Sequence, residues 1–143
     1  MRRCVVASIA VLVSIGAGVA ANDPIKARQA LMKANGDTSK AIAAILKGQA
    51  PFKLATAQAA LNAYIEAADK APALFPPGSD KGKTHALPAI WKNKSDFEAR
   101  FVKFGADSKA ALDSIKDEAS FKANFPPLFK DCGGCHELYR EKE

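Results

Sequence analysis

The sequence predicts an all-α protein that folds as an antiparallel four-helix bundle, and two observations lead to this expectation. Four segments repeat apolar residues at the spacing of a helix face, whereas no segment alternates polar and apolar residues long enough to indicate a strand. Clusters of proline and glycine separate several of these segments. Four amphipathic helices of comparable length in a chain of 143 residues indicate a bundle in which their apolar faces pack together.

The first two predicted helices are joined by a short connection, as antiparallel neighbours are. The first runs from about Pro24 to Lys47, because proline suits a first turn and Gly48 suits a helix end. The second runs from about Phe52 to Lys70. The apolar side of this second helix contains Leu54, Leu61, Ile65 and Ala68.

Lysines recur every seven residues along the first predicted helix, at Lys26, Lys33, Lys40 and Lys47. This spacing places them on one outward stripe of the helix. The stripe is either a solvated face or a docking surface for an acidic partner, and the solvated face is the better interpretation. Nothing in the charge pattern indicates recognition of nucleic acid.

A connection of more than twenty residues, rich in proline and glycine, separates the second and third predicted helices. Connections of this length usually have a function or cover part of the fold. We expect Trp91, just before the third helix, to anchor the connection by packing. The third helix begins at a capping box, Ser95-Asp96-Phe97-Glu98, and ends near Lys116. Its apolar face contains Phe97, Phe101, Phe104, Ser108, Ala111 and Ile115.

The fourth predicted helix is entered from Ser120, continues to the end of the chain, and is interrupted at Pro126-Pro127. One stripe along it occupies about a third of the circumference. The stripe contains Phe121, Phe125, Leu128, Phe129, Cys132, Cys135, His136 and Tyr139.

The residues 1–21 are predicted to be a cleaved signal peptide. Arg2 and Arg3 precede an apolar run that ends at the small-residue site Val19-Ala20-Ala21. A membrane anchor is the alternative, but the run is short, rich in small residues, and followed by no positive stop signal. Cleavage would lower the formal charge from +6 to +4 and remove Cys4. The mature domain would then span 22–143 and retain two cysteines.

These two cysteines belong to Cys132-Gly133-Gly134-Cys135-His136, a C-x-x-C-H sequence typical of covalent haem attachment. Positions i, i+3 and i+4 share one helix face, so two thioethers can hold the macrocycle edge while His136 reaches the iron. A thioredoxin-like redox couple would need a strand–helix fold, which this sequence does not predict. A zinc site would need a fourth ligand, and His85 is the one histidine outside the motif. A short-range disulfide is the remaining alternative. The helical body and the adjacent histidine favour haem.

Four further stretches match one family of haem proteins. They are Ile25-Lys26-Ala27-Arg28-Gln29, Lys47-Gly48-Gln49-Ala50-Pro51-Phe52, Pro88-Ala89-Ile90-Trp91 and Cys135-His136-Glu137-Leu138-Tyr139-Arg140. With the C-x-x-C-H motif they resemble the class II cytochrome c family, the cytochrome c' group. The resemblance covers nearly the whole of 22–143 and implies a four-helix bundle with one haem c, and its iron, near the C-terminal helix. It also implies that Arg28 lies near a haem propionate and Gln29 against the cofactor.

The resemblance further points to Met32, four residues after Arg28, as the residue over the distal face of the iron. In the low-spin branch, the cytochromes c-556, a methionine here ligates the iron, and Leu31-Met32-Lys33-Ala34-Asn35-Gly36 resembles that branch. In the high-spin branch this residue is an apolar bystander and the iron is five-coordinate. Independently of the family, Gly36 and Ser39 on the same face leave room for a planar ligand. Methionine as core filler is the alternative.

The cofactor is expected to lie between the first, third and fourth helices. The expected lining is Met32, Phe97, Phe101, Phe125 and His136. His85, in the long connection, is expected to be solvated, with a propionate contact as the alternative. Arg140 is expected over the proximal side or paired with an acidic neighbour.

A histidine and a methionine on the iron predict a one-electron carrier that works with redox partner proteins. A high-spin, five-coordinate iron that binds nitric oxide or carbon monoxide is the alternative. The sequence offers no acid–base or nucleophile set, so we expect no enzymatic activity. The signal peptide predicts a bacterial periplasmic protein with no membrane attachment after cleavage. Family members often pair through the first two helices, and the sequence leaves a homodimer open.

Overall fold

The computed structural model describes residues 23–142, so the predicted signal peptide at 1–21 lies outside the described residues. Within 23–142 the chain forms six α-helices and one 3-10 helix, with a single isolated β-bridge. The α-helices are α1 Pro24–Leu46, α2 Leu54–Lys70, α3 Ala89–Lys92, α4 Lys94–Ser114, α5 Glu118–Asn124 and α6 Pro126–Tyr139, and the 3-10 helix is Ala71–Leu74. Helices α1, α2, α4 and the α5–α6 pair form the four-helix bundle that the sequence predicts.

The ends of α1 follow from local signals. The Asp23 carboxylate accepts hydrogen bonds from the backbone N–H groups of Ile25 and Lys26, at 3.0 and 3.3 Å, and Pro24 occupies the first turn. At the other end, Gly48 adopts a φ of 70°, which glycine tolerates without strain. The prediction of a helix from Pro24 to Lys47 is therefore confirmed to within one residue.

The start of the third predicted helix is one place where the prediction is wrong. Helix α4 begins at Lys94, and Asn93 precedes it without a side-chain cap, so Ser95 lies inside the helix rather than at its cap. The carboxylate of Asp96 bonds to Arg100 and Tyr139 instead. The described chain does contain a reciprocal capping box, but it stands at Asp117 and Ser120, at the start of α5.

The interruption predicted at Pro126-Pro127 is confirmed. Helix α5 ends at Asn124, and both prolines occupy the first turn of α6, where their missing N–H groups cost no intrahelical bond. The break divides the fourth helix of the bundle into the short α5 and the longer α6, and α6 contains the C-x-x-C-H motif.

The core consists of two clusters. The larger lies between α1, α2, α4 and the α5–α6 pair. Its fully buried large side chains include Ile42, Leu61, Tyr64, Ile115, Phe121, Phe125 and Leu128. A Cβ atom built on Gly105 would lie 3.2 Å from the Cβ of Ala68, so α2 and α4 approach closely there. The smaller cluster, Phe75, Ile90, Phe97 and Tyr139, lies beneath the long connection.

Trp91 anchors the long connection, as expected. Its ring packs against Phe75, with centroids 6.2 Å apart, and its indole N–H donates to the carbonyl of Pro76 at 2.9 Å. Trp91 belongs to the short helix α3, which the sequence did not predict as a separate element. Among residues 23–142, no helix is both long and apolar enough to cross a membrane.

Candidate functional site

A cavity of about 370 Å³ lies between α1, α4 and α6, with α2 and the long connection completing its wall. Its lining brings together the predicted site residues Arg28, Gln29, Met32, Cys132, Cys135 and His136. His85 and Arg140 also line it. Of the five lining residues expected for the cofactor, Phe125 is the exception: it is fully buried in the larger core cluster, against Tyr64 and Phe121. The break at Pro126 places Phe125 at the joint between α5 and α6.

The two cysteines and the histidine of the motif project into this cavity from one face of α6. All three residues are half-buried, and both cysteines have free thiols in this structure. Burial raises the pKa of the Cys132 thiol to about 11, with Asp131 and Cys135 adding to the effect. Burial also raises the pKa of Cys135, although Arg100 opposes it. Raised values disagree with a thioredoxin-like couple, which depends on an easily ionised thiol.

His136 is suited to bind a metal ion. Burial, and after it the charge of Arg140, lowers the pKa of the imidazole. A lower pKa keeps the ring neutral near pH 7, and a neutral ring has the free lone pair that a metal ligand needs. Arg140 therefore acts on the imidazole electrostatically from four residues further along the chain.

Met32 is half-buried on α1 and lines the cavity together with Gly36 and Ser39, the small residues that share its helix face. A Cβ atom built on Gly36 would meet no other atom within 4 Å, so this side of the cavity has room for a flat group. Met32 and His136 thus line one cavity from two different helices, α1 and α6.

Arg28 is almost fully buried, at 3% exposure, and it ties α1 to the long connection. Its Nη1 donates to the carbonyl of Leu74 at 3.2 Å and to Ser79 Oγ at 3.0 Å. Its Nη2 donates to the carbonyl of Ser79 at 2.7 Å and to Thr84 Oγ1 at 2.9 Å. The guanidinium also lies 4.7 Å from the centre of the Phe75 ring. No pattern in the sequence indicates this anchoring role.

The neighbouring Gln29 also holds the connection, because its amide donates to the carbonyl of Lys83 at 2.9 Å. A second set of bonds joins the connection to the end of α6. The N–H of Leu87 donates to the carbonyl of Tyr139 at 3.0 Å, and the N–H of Glu141 donates to the carbonyl of His85 at 2.8 Å. The connection is therefore held at both sides of the cavity, by α1 and by the residues after α6.

His85 is exposed, as expected for a histidine in this connection, and it lies at the edge of the cavity. Its Nδ1 is 3.3 Å from a carboxylate oxygen of Glu141. This pairing reinforces the backbone bond between the same two residues.

The lining also includes residues that the sequence analysis did not predict, among them Tyr64, Arg100 and Asp131. The Tyr64 hydroxyl is 2.6 Å from Ser39 Oγ, which joins α2 to α1 beside the cavity. Arg100 on α4 donates to the carbonyl of Gly134, and Asp131 accepts from Lys103. The period of the apolar residues in α2 could have identified Tyr64 as buried, but no local pattern marks Arg100 or Asp131.

The residues of the cavity fit a covalently attached haem. Two thiols and a neutral imidazole share one wall, and aromatic side chains such as Phe97, Phe101 and Phe104 provide an apolar surface for a macrocycle. Three arginines, Arg28, Arg100 and Arg140, line the cavity against the single carboxylate of Asp131. This excess of positive charge suits a cofactor that carries carboxylates.

Comparison with known proteins agrees with this fit. The sequence model of the family described as Cytochrome C' matches residues 23–140. Cytochrome c' of Rhodopseudomonas palustris (strain ATCC BAA-98 / CGA009) is 45% identical over 141 residues, which cover 96% of this chain and 97% of that protein. Cytochrome c-556 of Agrobacterium tumefaciens (strain II Chrys) is 40% identical over 120 residues, which cover 83% of this chain and 98% of that protein.

A solved structure of cytochrome c' from Rhodopseudomonas palustris superposes with a TM-score of 0.82 at 44% identity, covering 85% of this chain and 98% of that chain. The family model covers both the bundle and the motif, and the resemblance noted from the sequence is confirmed. The chain belongs to the class II cytochrome c family, the cytochrome c' group of c-type cytochromes, which are electron carriers with covalently attached haem c.

Proposed function

We propose that this cytochrome is a periplasmic one-electron carrier whose haem is attached to Cys132 and Cys135 and whose iron is ligated by His136 and Met32. One observation supports the ligand pair above all others. Met32 and His136 line the same cavity from α1 and α6, and the two cysteines lie beside His136 on the same helix face. Within 23–142, Met32 is the sole methionine, so no second thioether competes for the iron.

The residues of the chain have separate tasks in this proposal. Cys132 and Cys135 fix the cofactor through thioethers, and the haem supplies the one-electron chemistry when bound. His136 and Met32 are both strong-field ligands, and keeping both in place in either oxidation state minimises rearrangement during electron transfer. Met32 belongs to helix α1, whose position beside the cavity brings the thioether into the lining.

Arg28 and Gln29 are proposed to face the propionate side of the cofactor. Both line the cavity, and a buried guanidinium is a suitable neighbour for a carboxylate. Their bonds to the long connection hold this segment across the cavity. We infer that the connection shields the cofactor from water.

The second candidate is a five-coordinate protein that binds nitric oxide or carbon monoxide, with Met32 as an apolar neighbour of the open position. The relative at 45% identity is named a cytochrome c', which favours this candidate. The rate at which the ferrous protein binds carbon monoxide separates the two. A methionine ligand must dissociate first, so slow binding supports the carrier. Prompt binding at the rate of an open iron would support the gas-binding protein.

The cellular setting is inferred from the N-terminal sequence and from bacterial relatives. Residues 1–21 direct export to the periplasm and are removed, which leaves 22–143 as the mature domain. Redox proteins of the same compartment are the proposed partners. We assign no enzymatic activity, nucleic-acid partner or membrane attachment to the mature domain.

A further inference from the structure

A carboxyl side chain and a guanidinium flank the segment that contains Cys132 and Cys135. Asp131 immediately precedes Cys132, and Arg100 of α4 donates from Nη1 to the carbonyl of Gly134 at 3.3 Å, next to Cys135. Both residues line the cavity. Asp131 is adjacent to Cys132 in sequence, whereas Arg100 contacts the backbone beside Cys135, so the two side chains lie near different cysteines.

Asp131 is the more buried of the two, with 14% of its side chain exposed. Its Oδ1 accepts from Lys103 Nζ at 2.7 Å, and the same lysine also bonds to Asp107. Its Oδ2 is buried and has no hydrogen-bond partner among residues 23–142. A carboxylate with one uncompensated buried oxygen retains a strong local field, because little water is present to screen it.

Arg100 is more exposed and more fully paired. One third of its side chain is exposed, and its Nε donates to Asp96 Oδ2 at 2.7 Å. Asp96 therefore offsets part of the guanidinium charge. The field of Arg100 at the cavity is expected to be weaker than that of Asp131, and opposite in sign.

We propose that Asp131 and Arg100 set the reduction potential of the haem in opposite directions. Oxidation adds one positive charge at the iron, so a nearby carboxylate stabilises the ferric state and lowers the potential, whereas a guanidinium raises it. Lys103 moderates the effect of Asp131. This inference rests on attachment of the haem at Cys132 and Cys135 and holds for either coordination of the iron.

The test is redox titration of the purified holoprotein at pH 7. Asp131→Asn, nearly isosteric, should raise the midpoint potential. Arg100→Gln should lower it by a smaller amount, and Arg100→Lys should retain most of the wild-type value. Lys103→Gln should lower the potential, because it removes the positive charge that pairs with Asp131. Since Lys103 lies at the surface, this variant can be measured even if Asp131→Asn folds poorly.

Matched controls come from α4, where Asp113→Asn and Lys109→Gln change the same charges at exposed residues outside the cavity lining. They should leave the potential unchanged. Absorption spectra of all variants should equal that of the wild type. Equal spectra would show that the iron ligands are unchanged, in either coordination of the iron. Unchanged potentials in Asp131→Asn and Lys103→Gln, shifts reproduced by the controls, or shifts accompanied by altered ligand spectra would overturn the proposal.

Discussion

The phenol of Tyr139, at the end of α6, donates a 2.5 Å hydrogen bond to Asp96 Oδ2 in the first turn of α4, across 43 residues of sequence. Arg100 Nε donates to the same oxygen at 2.7 Å and reaches the carbonyl of Gly134 through Nη1. These bonds join α4 to the helix that holds the C-x-x-C-H motif. Asp96 is therefore a link between the bundle and the attachment segment.

The first prediction concerns the acid dependence of stability through Asp96. The hydrogen bond from Arg100, and after it that from Tyr139, holds the pKa of this carboxyl below its ordinary value. A depressed pKa in the folded state adds stability above the unfolded value, about pH 3.9, and that stability is lost as pH falls toward the folded value. In urea titrations of the holoprotein, Asp96→Asn should flatten this decline between pH 5 and the acid limit, within the usual range of carboxyl titration.

Glu98→Gln, an exposed carboxyl on the same helix, is the matched control for Asp96→Asn. It should retain the acid dependence of the wild type. Identical pH profiles for Asp96→Asn and the wild type would contradict the linking role of Asp96.

The second prediction concerns the buried guanidinium of Arg28. Arg28→Met removes four hydrogen bonds and leaves acceptors on the long connection unsatisfied, so the free energy of unfolding should fall by about 2–4 kcal/mol. Hydrogen exchange should accelerate at the amides of Thr84 and Leu87. Lys26→Met, at an exposed residue of the same helix, should change stability by less than about 0.5 kcal/mol. Equal losses in the two variants would show that Arg28 does not anchor the connection.

The third prediction concerns covalent attachment. Thioether bonds survive denaturation, so acid–acetone extraction should leave the colour on the polypeptide, and the intact mass should exceed that of the bare chain by one haem. Replacing both Cys132 and Cys135 with alanine should release the colour or abolish it. A mass equal to the bare chain in the coloured wild-type protein would contradict attachment at these cysteines.

The fourth prediction concerns maturation. N-terminal sequencing of the protein from its native host should begin at Ala21 or Asn22, because Val19-Ala20-Ala21 forms a small-residue cleavage site. A protein that still carries Arg2 would disprove cleavage there.

The helices could be predicted where their signals are local. Proline at the start of α1, glycine after it, and the proline pair in the first turn of α6 act within one turn, and the structure confirms all three. The predicted capping box at Ser95 is absent because the helix begins at Lys94, so that Ser95 already lies inside it.

The residues of the site also differ in whether a local pattern in the sequence predicts them. Cys132, Cys135 and His136 are consecutive on one helix face, so their spacing alone predicts that they act together. Arg100 and Asp131 reach the cavity through contacts between α4 and α6, and the pattern of either helix alone does not contain them. The resemblance to the family supplied Met32, and the structure adds that it lines the same cavity as His136.

The ligation of the iron by Met32 is the central claim, and the spin state of the ferric haem in wild type and Met32→Ala tests it most directly. We predict a six-coordinate, low-spin wild type with the weak sulfur-to-iron band in the far-red. Met32→Ala should lose that band and become high-spin with a lower reduction potential, because a methionine ligand favours the ferrous state. A control variant, Leu31→Ala, should keep the wild-type spectrum. A wild type that is already high-spin, with Met32→Ala changing little, would contradict the claim and assign Met32 to packing.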